Sequence, residues 1–171
     1  MSTQPLVKMV AETELQDEAK QLYQDFKDKK GAVPKWMKVM ANCEDILLGF
    51  FSMFKATMDD SPLPSALKWK VAKEISDLNK CEFCVSVAEM MLESMGCNDM
   101  VCLKEENVSE KEKLAIEYGK QVTVHAYKID PDLMKQVQAS FSDEELVELT
   151  AVVGLFNYIN RFNDALRVLP D

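Results

Sequence analysis

The chain has 171 residues and a mass of 19.4 kDa, the size of one ordinary domain. Its 29 acidic and 20 basic residues give a net charge of −9, which repels phosphate backbones and anionic lipid headgroups and so excludes nucleic acid and membrane surfaces as expected partners. Five glycines and six prolines allow few turns, so the composition favours long helices.

Apolar residues recur at helical spacing along nearly the whole chain, and no strand-like alternation is sustained. The stripe over 15–26 predicts a first helix that ends near Lys29. Asn42 is the predicted N-cap of a second, apolar helix. The Ser-Pro-Leu-Pro segment at 61–64 is expected to end this helix.

Start and stop signals predict five further helices. The first spans about 65–78 and the second about 81–95, with a tight joint at Asn79 and Lys80 between them and Gly96 closing the second. The last three begin at predicted N-caps, namely Ser109, Asp130 and Ser142. We therefore predict an all-α helical bundle of about six to eight helices, folded as a single domain over 1–171 with a first helix and extension over 1–40.

The number of cysteines, five, is odd, so they cannot all be paired in disulfides. The first twenty residues lack the apolar core of a secretion signal, and no run of 18 apolar residues occurs. We therefore expect a cytoplasmic protein with reduced thiols, in which two cysteines separated by only two residues indicate redox or metal chemistry. The five are Cys43, Cys81, Cys84, Cys97 and Cys102.

The closely spaced pair, Cys81 and Cys84, falls at the start of a predicted helix, one turn apart and on one face. Backbone N–H groups at a helix N-terminus favour thiolate over thiol. A thiolate attacks a peroxide to give a sulfenic acid, with which a neighbouring thiol condenses. Lys80 adds positive charge beside the pair and Glu82 opposes it. The other three cysteines are interpreted as bystanders.

Other interpretations of the pair stay open. Both cysteines could be small buried hydrophobic residues. With Cys97 and Cys102 they would supply four zinc ligands, although a straight helix would separate the two pairs by roughly 20 Å. Thioethers suit copper(I), although methionines at helical spacing are more often core residues; the nearby ones are Met90, Met91, Met95 and Met100.

Three segments are similar to the carboxymuconolactone decarboxylase / alkylhydroperoxidase D-like superfamily. The run PLPSALKWKVAKEISDLNKCEFCVSVAEMM resembles its central helical hairpin, which carries the C-x-x-C pair. The N-terminal helices with the turn at Gly31 and Pro34, and the closing helix with its Asn160-Arg161 step, resemble the rest of the fold. The resemblance implies a homo-oligomer of uncertain order.

The redox members of this superfamily carry a glutamate twelve residues before the first cysteine and a histidine four residues after the second. The resemblance implies a peroxidase or disulfide reductase that needs no cofactor or metal. Cys84 would become the sulfenic acid and Cys81 would resolve it, while glutamate and histidine relay the proton. The implied partners are a small hydroperoxide or disulfide substrate and an unidentified dithiol reductant.

Two positions depart from this pattern, because Trp69 stands at the glutamate position and Ala88 at the histidine position. Neither side chain can transfer a proton. The candidate replacements in the relay are Glu74, Glu89 and the single histidine, His125. Further candidate proton donors, whose positions the sequence does not fix, are Tyr118, Tyr127 and Tyr158.

Three functional hypotheses follow. The first is a thiol–disulfide oxidoreductase or weak peroxidase with an antioxidant role, acting through Cys84 and Cys81. The second is a relative that has lost the chemistry and serves as a redox sensor or as a binding or scaffold protein, since both relay positions are substituted. The third is a lactone decarboxylase, which ranks last because those members do not use a cysteine pair.

Overall fold

The computed structural model describes residues 4–97 and 108–170. Over these ranges the chain contains helices and no strand. After a 3₁₀ turn at Glu12–Glu14 come eight α-helices: α1 (Asp17–Lys30), α2 (Lys35–Met40), α3 (Glu44–Met58), α4 (Ser65–Leu78), α5 (Glu82–Ser94), α6 (Glu110–His125), α7 (Pro131–Ser140) and α8 (Asp143–Leu166). The predicted all-α class is confirmed. No helix within the described ranges is long and apolar enough to cross a bilayer.

The described residues group into two compact units, and the first contains residues up to Ala56 together with those from Asn163 onward. Tyr23 is fully buried in its core, and its hydroxyl lies 3.4 Å from the carbonyl oxygens of Val10 and Met37. Burial, reinforced by the negative charge of Glu44, raises the pKa of Tyr23.

The second unit spans Thr57–Phe162 and is built around α4, which packs against α5 and α6. Gly119 lets α4 and α6 approach closely, because a Cβ atom there would lie 3.1 Å from Cγ1 of Val71. Fully buried apolar side chains fill the interior, among them Val71, Ile75, Leu92, Ala115, Leu149 and Val152. The predicted α4–α5 hairpin is therefore present.

The three later N-caps are confirmed. Ser109 accepts a hydrogen bond from the Glu112 N–H at 3.2 Å, and the Glu112 carboxylate accepts one from the Ser109 N–H at 2.8 Å. Ser142 and Glu145 repeat this reciprocal arrangement at 3.2 and 2.9 Å. Asp130 caps α7 through its carboxylate, with Pro131 as the first helical residue.

One prediction about the N-terminal half needs correction, and one helix there was not predicted. α3 begins at Glu44, so Cys43 and not Asn42 occupies the N-cap position. The Asn42 side chain instead donates to the carbonyl oxygens of Lys8 and Val39, both at 2.8 Å. The short helix α2 was not predicted, because six residues carry too little periodicity to be recognised.

Candidate functional site

The turn between α4 and α5 is a Schellman motif, a common helix C-terminus closed by two backbone hydrogen bonds. The Lys80 N–H donates to the carbonyl of Asp77 at 3.0 Å, and the Cys81 N–H donates to the carbonyl of Ser76 at 2.9 Å. Lys80 occupies the left-handed position with φ 63°, where glycine is usually found. The motif confirms the predicted tight joint and places Cys81 directly after it.

Both cysteines of the pair lie at the first turn of α5. Cys81 is the residue that precedes the helix, and Cys84 is its third residue, so the two lie close together. Cys81 is fully buried and Cys84 is 4% exposed. The backbone of Cys81 is held on both sides, since its carbonyl accepts a hydrogen bond from the Val85 N–H at 3.0 Å.

The two other described cysteines are Cys97 and Cys43. Cys97 is buried just beyond the C-terminal end of α5, the opposite end from Cys81, and Cys43 is exposed before α3. No group of three or more His, Cys, Asp or Glu side chains converges on a metal-sized site within 4–97 and 108–170. Cys102 and Met100, which the zinc and copper alternatives used, lie outside the described residues.

Apolar packing occupies both substituted positions. Trp69 is 4% exposed and packs edge-to-face on Phe156, with ring centroids 5.7 Å apart. Ala88 is fully buried on α5. The places where the resemblance expects a carboxylate and an imidazole therefore belong to the hydrophobic interior.

Glu74 and Glu89, the two carboxylates considered as replacements in the proton relay, each lie beside a lysine. Glu74 lies 2.7 Å from Lys120, and Glu89 lies 3.7 Å from Lys73. The chain reversal at Lys80 removes the continuous helix that would have placed Glu74 above the cysteines. On α5, Glu89 is five residues beyond Cys84 and so points about 140° away from it.

The single histidine and the three candidate tyrosines contact side chains other than the two cysteines in the interactions that the structure shows. His125 is the last residue of α6, is exposed, and has its ring 6.1 Å from that of Tyr127. Tyr127 is 88% exposed. The hydroxyl of Tyr118 shares a hydrogen bond of 2.8 Å with Thr150, and Tyr158 stacks on Phe162.

Sequence reasoning missed a cluster of polar side chains beside the α4–α5 turn, which we call the amide cluster. Asn79 donates from Nδ2 to the side-chain oxygens of Asn160 at 2.9 Å and Asn157 at 3.0 Å. Asn160 in turn donates to Oγ of Ser76 at 3.0 Å. The cluster comprises Ser76, Asn79, Asn157 and Asn160. The only sequence signal for it was the Asn160-Arg161 step, noted as part of the family resemblance.

A buried ammonium group was also missed. Lys68 has a fully buried side chain whose Nζ donates to the Asp59 carbonyl at 2.8 Å and lies 3.4 Å from the Glu148 carboxylate. Burial opposes ionisation of Glu148, but hydrogen bonds from Ser61 and the Leu63 N–H, with the charge of Lys68, outweigh it and lower the pKa of Glu148. This group closes the loop before α4 and lies outside the cysteine site.

One open depression of about 500 Å³ lies along the N-terminal half of α8. Neither Cys81 nor Cys84 is among the residues that line it, which are Tyr118, Asp143, Leu146, Val147, Thr150 and Ala151.

No protein-family model matches the chain. The uncharacterized protein YnjA of Escherichia coli (strain K12) is 32% identical over 114 residues, which cover 63% of this chain and 63% of that protein. The chain therefore matches less than two thirds of the length of this curated relative.

Solved structures resemble the whole fold. One is the alkylhydroperoxidase AhpD core of an uncharacterized peroxidase-related protein from Ralstonia eutropha JMP134, with a TM-score of 0.88, 18% identity, and coverage of 98% of this chain and 92% of that one. Another is the apo debrominase Bmp8, with a TM-score of 0.85, 18% identity, and coverage of 99% and 94%. The chain thus has the alkylhydroperoxidase D-like fold that the sequence resemblance predicted.

Proposed function

We propose that this chain, which has the alkylhydroperoxidase D-like fold, is a thiol–disulfide oxidoreductase with weak peroxidase activity. The observation that carries the proposal is the placement of Cys81 and Cys84 at the first turn of α5, close together and away from bulk water. The fold is shared with a peroxidase-related protein, which is consistent with an antioxidant role.

In the proposed reaction, the Cys84 thiolate attacks the terminal oxygen of a hydroperoxide, breaking the O–O bond. The products are Cys84 sulfenic acid and, after protonation, an alcohol. The Cys81 thiol then attacks the sulfenic acid to form the Cys81–Cys84 disulfide and release water. A dithiol reductant completes the cycle by exchange, becoming a disulfide itself.

Two electrostatic effects act in opposite directions on the ionisation of the cysteine pair. The N-terminal N–H groups of α5 and the neighbouring Lys80 favour the thiolate, whereas burial of both sulfurs favours the thiol. General acid–base assistance typically contributes about 10² to 10⁴-fold to a rate. Trp69 and Ala88 cannot supply this assistance, so we expect slow turnover of hydroperoxides. We expect the Cys81–Cys84 disulfide to form faster by exchange with a disulfide substrate.

The direct test measures hydroperoxide consumption with a dithiol reductant. We expect measurable turnover in the wild-type chain, none above background in Cys84→Ser, and a trapped Cys84 sulfenic acid in Cys81→Ser. Cys43→Ser is the matched control, because it removes an exposed thiol outside the pair. Equal rates in the wild-type chain and Cys84→Ser would disprove the proposal.

A second candidate is a relative without turnover that senses oxidants or binds an apolar partner. Burial of Trp69 against Phe156 and of Ala88 favours it, because these side chains fill the positions of the proton relay. Alkylation rates measured against pH separate the two candidates. Ordinary thiol titration by both Cys81 and Cys84 would favour the second candidate, and a reactive Cys84 thiolate at neutral pH the first.

The proposed assembly and location rest on the family resemblance. We propose a homo-oligomer in the cytoplasm that acts on a small hydroperoxide or disulfide, with a dithiol as reductant. Size-exclusion chromatography with light scattering tests the assembly, and a monomer at all concentrations would contradict it.

A further inference from the structure

Asn160 lies at the centre of the amide cluster. Its side chain is fully buried, accepts a hydrogen bond from Asn79 at 2.9 Å and donates one to Ser76 at 3.0 Å. Ser76 is also fully buried. Buried amides are costly unless their donors and acceptors are satisfied, so the cluster is stable only when α4 and α8 are in this register.

Asn157 extends the cluster to a third helix and to a charge. Its Nδ2 donates to Oγ1 of Thr123 on α6 at 2.9 Å and to the Val153 carbonyl at 3.0 Å. Its Oδ1 accepts hydrogen bonds from Asn79 at 3.0 Å and from Nη1 of Arg161 at 2.6 Å. Asn79 is therefore held by amides one helical turn apart on α8.

Two members of the cluster, Ser76 in the last turn of α4 and Asn79 directly after the helix, lie on the α4 side of the turn that leads to Cys81. Ser76 presents its hydroxyl to Asn160 and its backbone carbonyl to the Cys81 N–H. Asn79 caps α4, and Lys80 then adopts a left-handed conformation that lysine disfavours. External contacts must stabilise such a turn, and the amide cluster supplies them on the side facing α8.

We propose that the amide cluster is a positioning device for the thiol pair, with Asn160 as its central positioning residue. It holds the backbone of Cys81 so that the sulfurs of Cys81 and Cys84 can join without rearrangement of the α4–α5 turn. This inference rests on the proposed function, because the amide cluster would assist the formation of the Cys81–Cys84 disulfide.

Glutathione provides the test reaction. One molecule of glutathione disulfide oxidises the two thiols to the Cys81–Cys84 disulfide and is reduced to two molecules of glutathione. The equilibrium constant measures how well the folded chain holds the two sulfurs together. Loss of a buried hydrogen-bond partner in Asn160→Ala is expected to lower this constant at least about fivefold, with Asn79→Ala giving a similar loss.

Asn79→Ala and Asn160→Ala together are expected to lower the constant by less than the product of the single effects, because both act through one turn. Glu148→Gln is the matched control, since it breaks a polar contact between α8 and the loop before α4. We expect it to change the constant less than about twofold. If Asn160→Ala fails to fold, Ser76→Ala removes one hydrogen bond of the cluster with less disturbance.

Amide hydrogen exchange at Cys81 separates failure of this inference from failure of the proposed function. If the wild-type chain forms no Cys81–Cys84 disulfide, the proposed function is overturned. Faster exchange of the Cys81 N–H in Asn160→Ala than in the wild-type chain would then still support positioning. Equal exchange rates, or equal glutathione constants in Asn160→Ala, Ser76→Ala and the wild-type chain, would overturn the positioning role.

Discussion

Asn160 donates a hydrogen bond of 3.0 Å to the hydroxyl of Ser76, and both side chains are fully buried. The two residues are 84 positions apart in the sequence. Their contact joins α8 to the last turn of α4, five residues before Cys81. A polar contact at this depth selects one arrangement of two helices, because any slip would leave an amide without a partner. The position of the candidate redox pair is thus specified by side chains that take no part in its chemistry.

Replacing Lys80 with glycine is expected to stabilise the chain. Lys80 has φ 63°, a conformation that costs an L-residue about 1–2 kcal/mol but costs glycine little. After allowing for the greater freedom of glycine in the unfolded chain, we expect Lys80→Gly to raise the free energy of unfolding by about 0.5–1 kcal/mol. Urea denaturation monitored by circular dichroism measures this change.

Matched positions test the backbone explanation. Arg167, at the end of α8, has φ 56° in the same kind of turn, so Arg167→Gly is expected to give a similar gain. Gly96 has φ 77°, and Gly96→Ala is expected to cost about 1 kcal/mol. A loss of stability in both Lys80→Gly and Arg167→Gly would contradict the argument from backbone strain.

Placing a histidine at position 88, where the redox members of the resembled superfamily carry one, is expected to fail for lack of space. Ala88 is fully buried, so Ala88→His must fit an imidazole into a packed interior and supply its polar atoms with partners. We expect the free energy of unfolding to fall by about 3 kcal/mol. The control is Ser86→His on the exposed face of α5, with an expected change below about 0.5 kcal/mol. Wild-type stability in Ala88→His, together with faster peroxide turnover, would show that the site can still accept the relay.

Local signals explain what could be predicted. The Ser109–Glu112 and Ser142–Glu145 boxes join residues three positions apart, so their side chains meet whenever the helix forms. The α4–α5 hairpin with Cys81 at its joint follows from the same kind of pattern. Sequence reasoning therefore located α1, the helices from α3 onward and the cysteine pair.

Tertiary contacts explain what could not be predicted. Asn42 has the side chain of a good N-cap, but carbonyl groups of Lys8 and Val39 bind its amide and the helix starts one residue later. The amide cluster depends on the packing of α8 against α4, for which the sequence around Asn160 carries no periodic signal. Glu74 was a candidate for the proton relay on sequence grounds, but in the structure it pairs with Lys120, which is 46 positions away in the sequence.

Glu112→Gln is expected to weaken the start of α6 and its contact with α4. The Glu112 carboxylate accepts hydrogen bonds from the Ser109 backbone and from Lys70 at 2.7 Å, and the Lys70 side chain is only 8% exposed. Removing the charge leaves a largely buried ammonium without its counterion, so we expect a loss of about 2 kcal/mol. The neighbouring Glu110 is 86% exposed, and Glu110→Gln is expected to change stability by less than about 0.5 kcal/mol in the same denaturation assay.

Glu148 is expected to contribute to acid unfolding. Burial opposes its ionisation, yet Ser61, the Leu63 N–H and Lys68 together hold the pKa of Glu148 below its ordinary value. A carboxyl group with a lowered pKa stabilises the folded chain above its unfolded pKa, and this contribution is lost as pH falls through the folded value. The stability of the wild-type chain is therefore expected to fall below about pH 4.5 more steeply than that of Glu148→Gln.

Near neutral pH, Glu148→Gln itself is expected to cost about 2 kcal/mol, because Lys68 is fully buried and loses its counterion. Denaturation curves at several pH values from 3 to 7 measure both effects. The double variant Lys68→Met with Glu148→Gln removes the charge and its partner together, so it is expected to recover part of that loss. Identical pH dependence in the wild-type chain and Glu148→Gln would show that Glu148 has the same pKa in the folded and unfolded chains, since only a difference between them makes stability depend on pH.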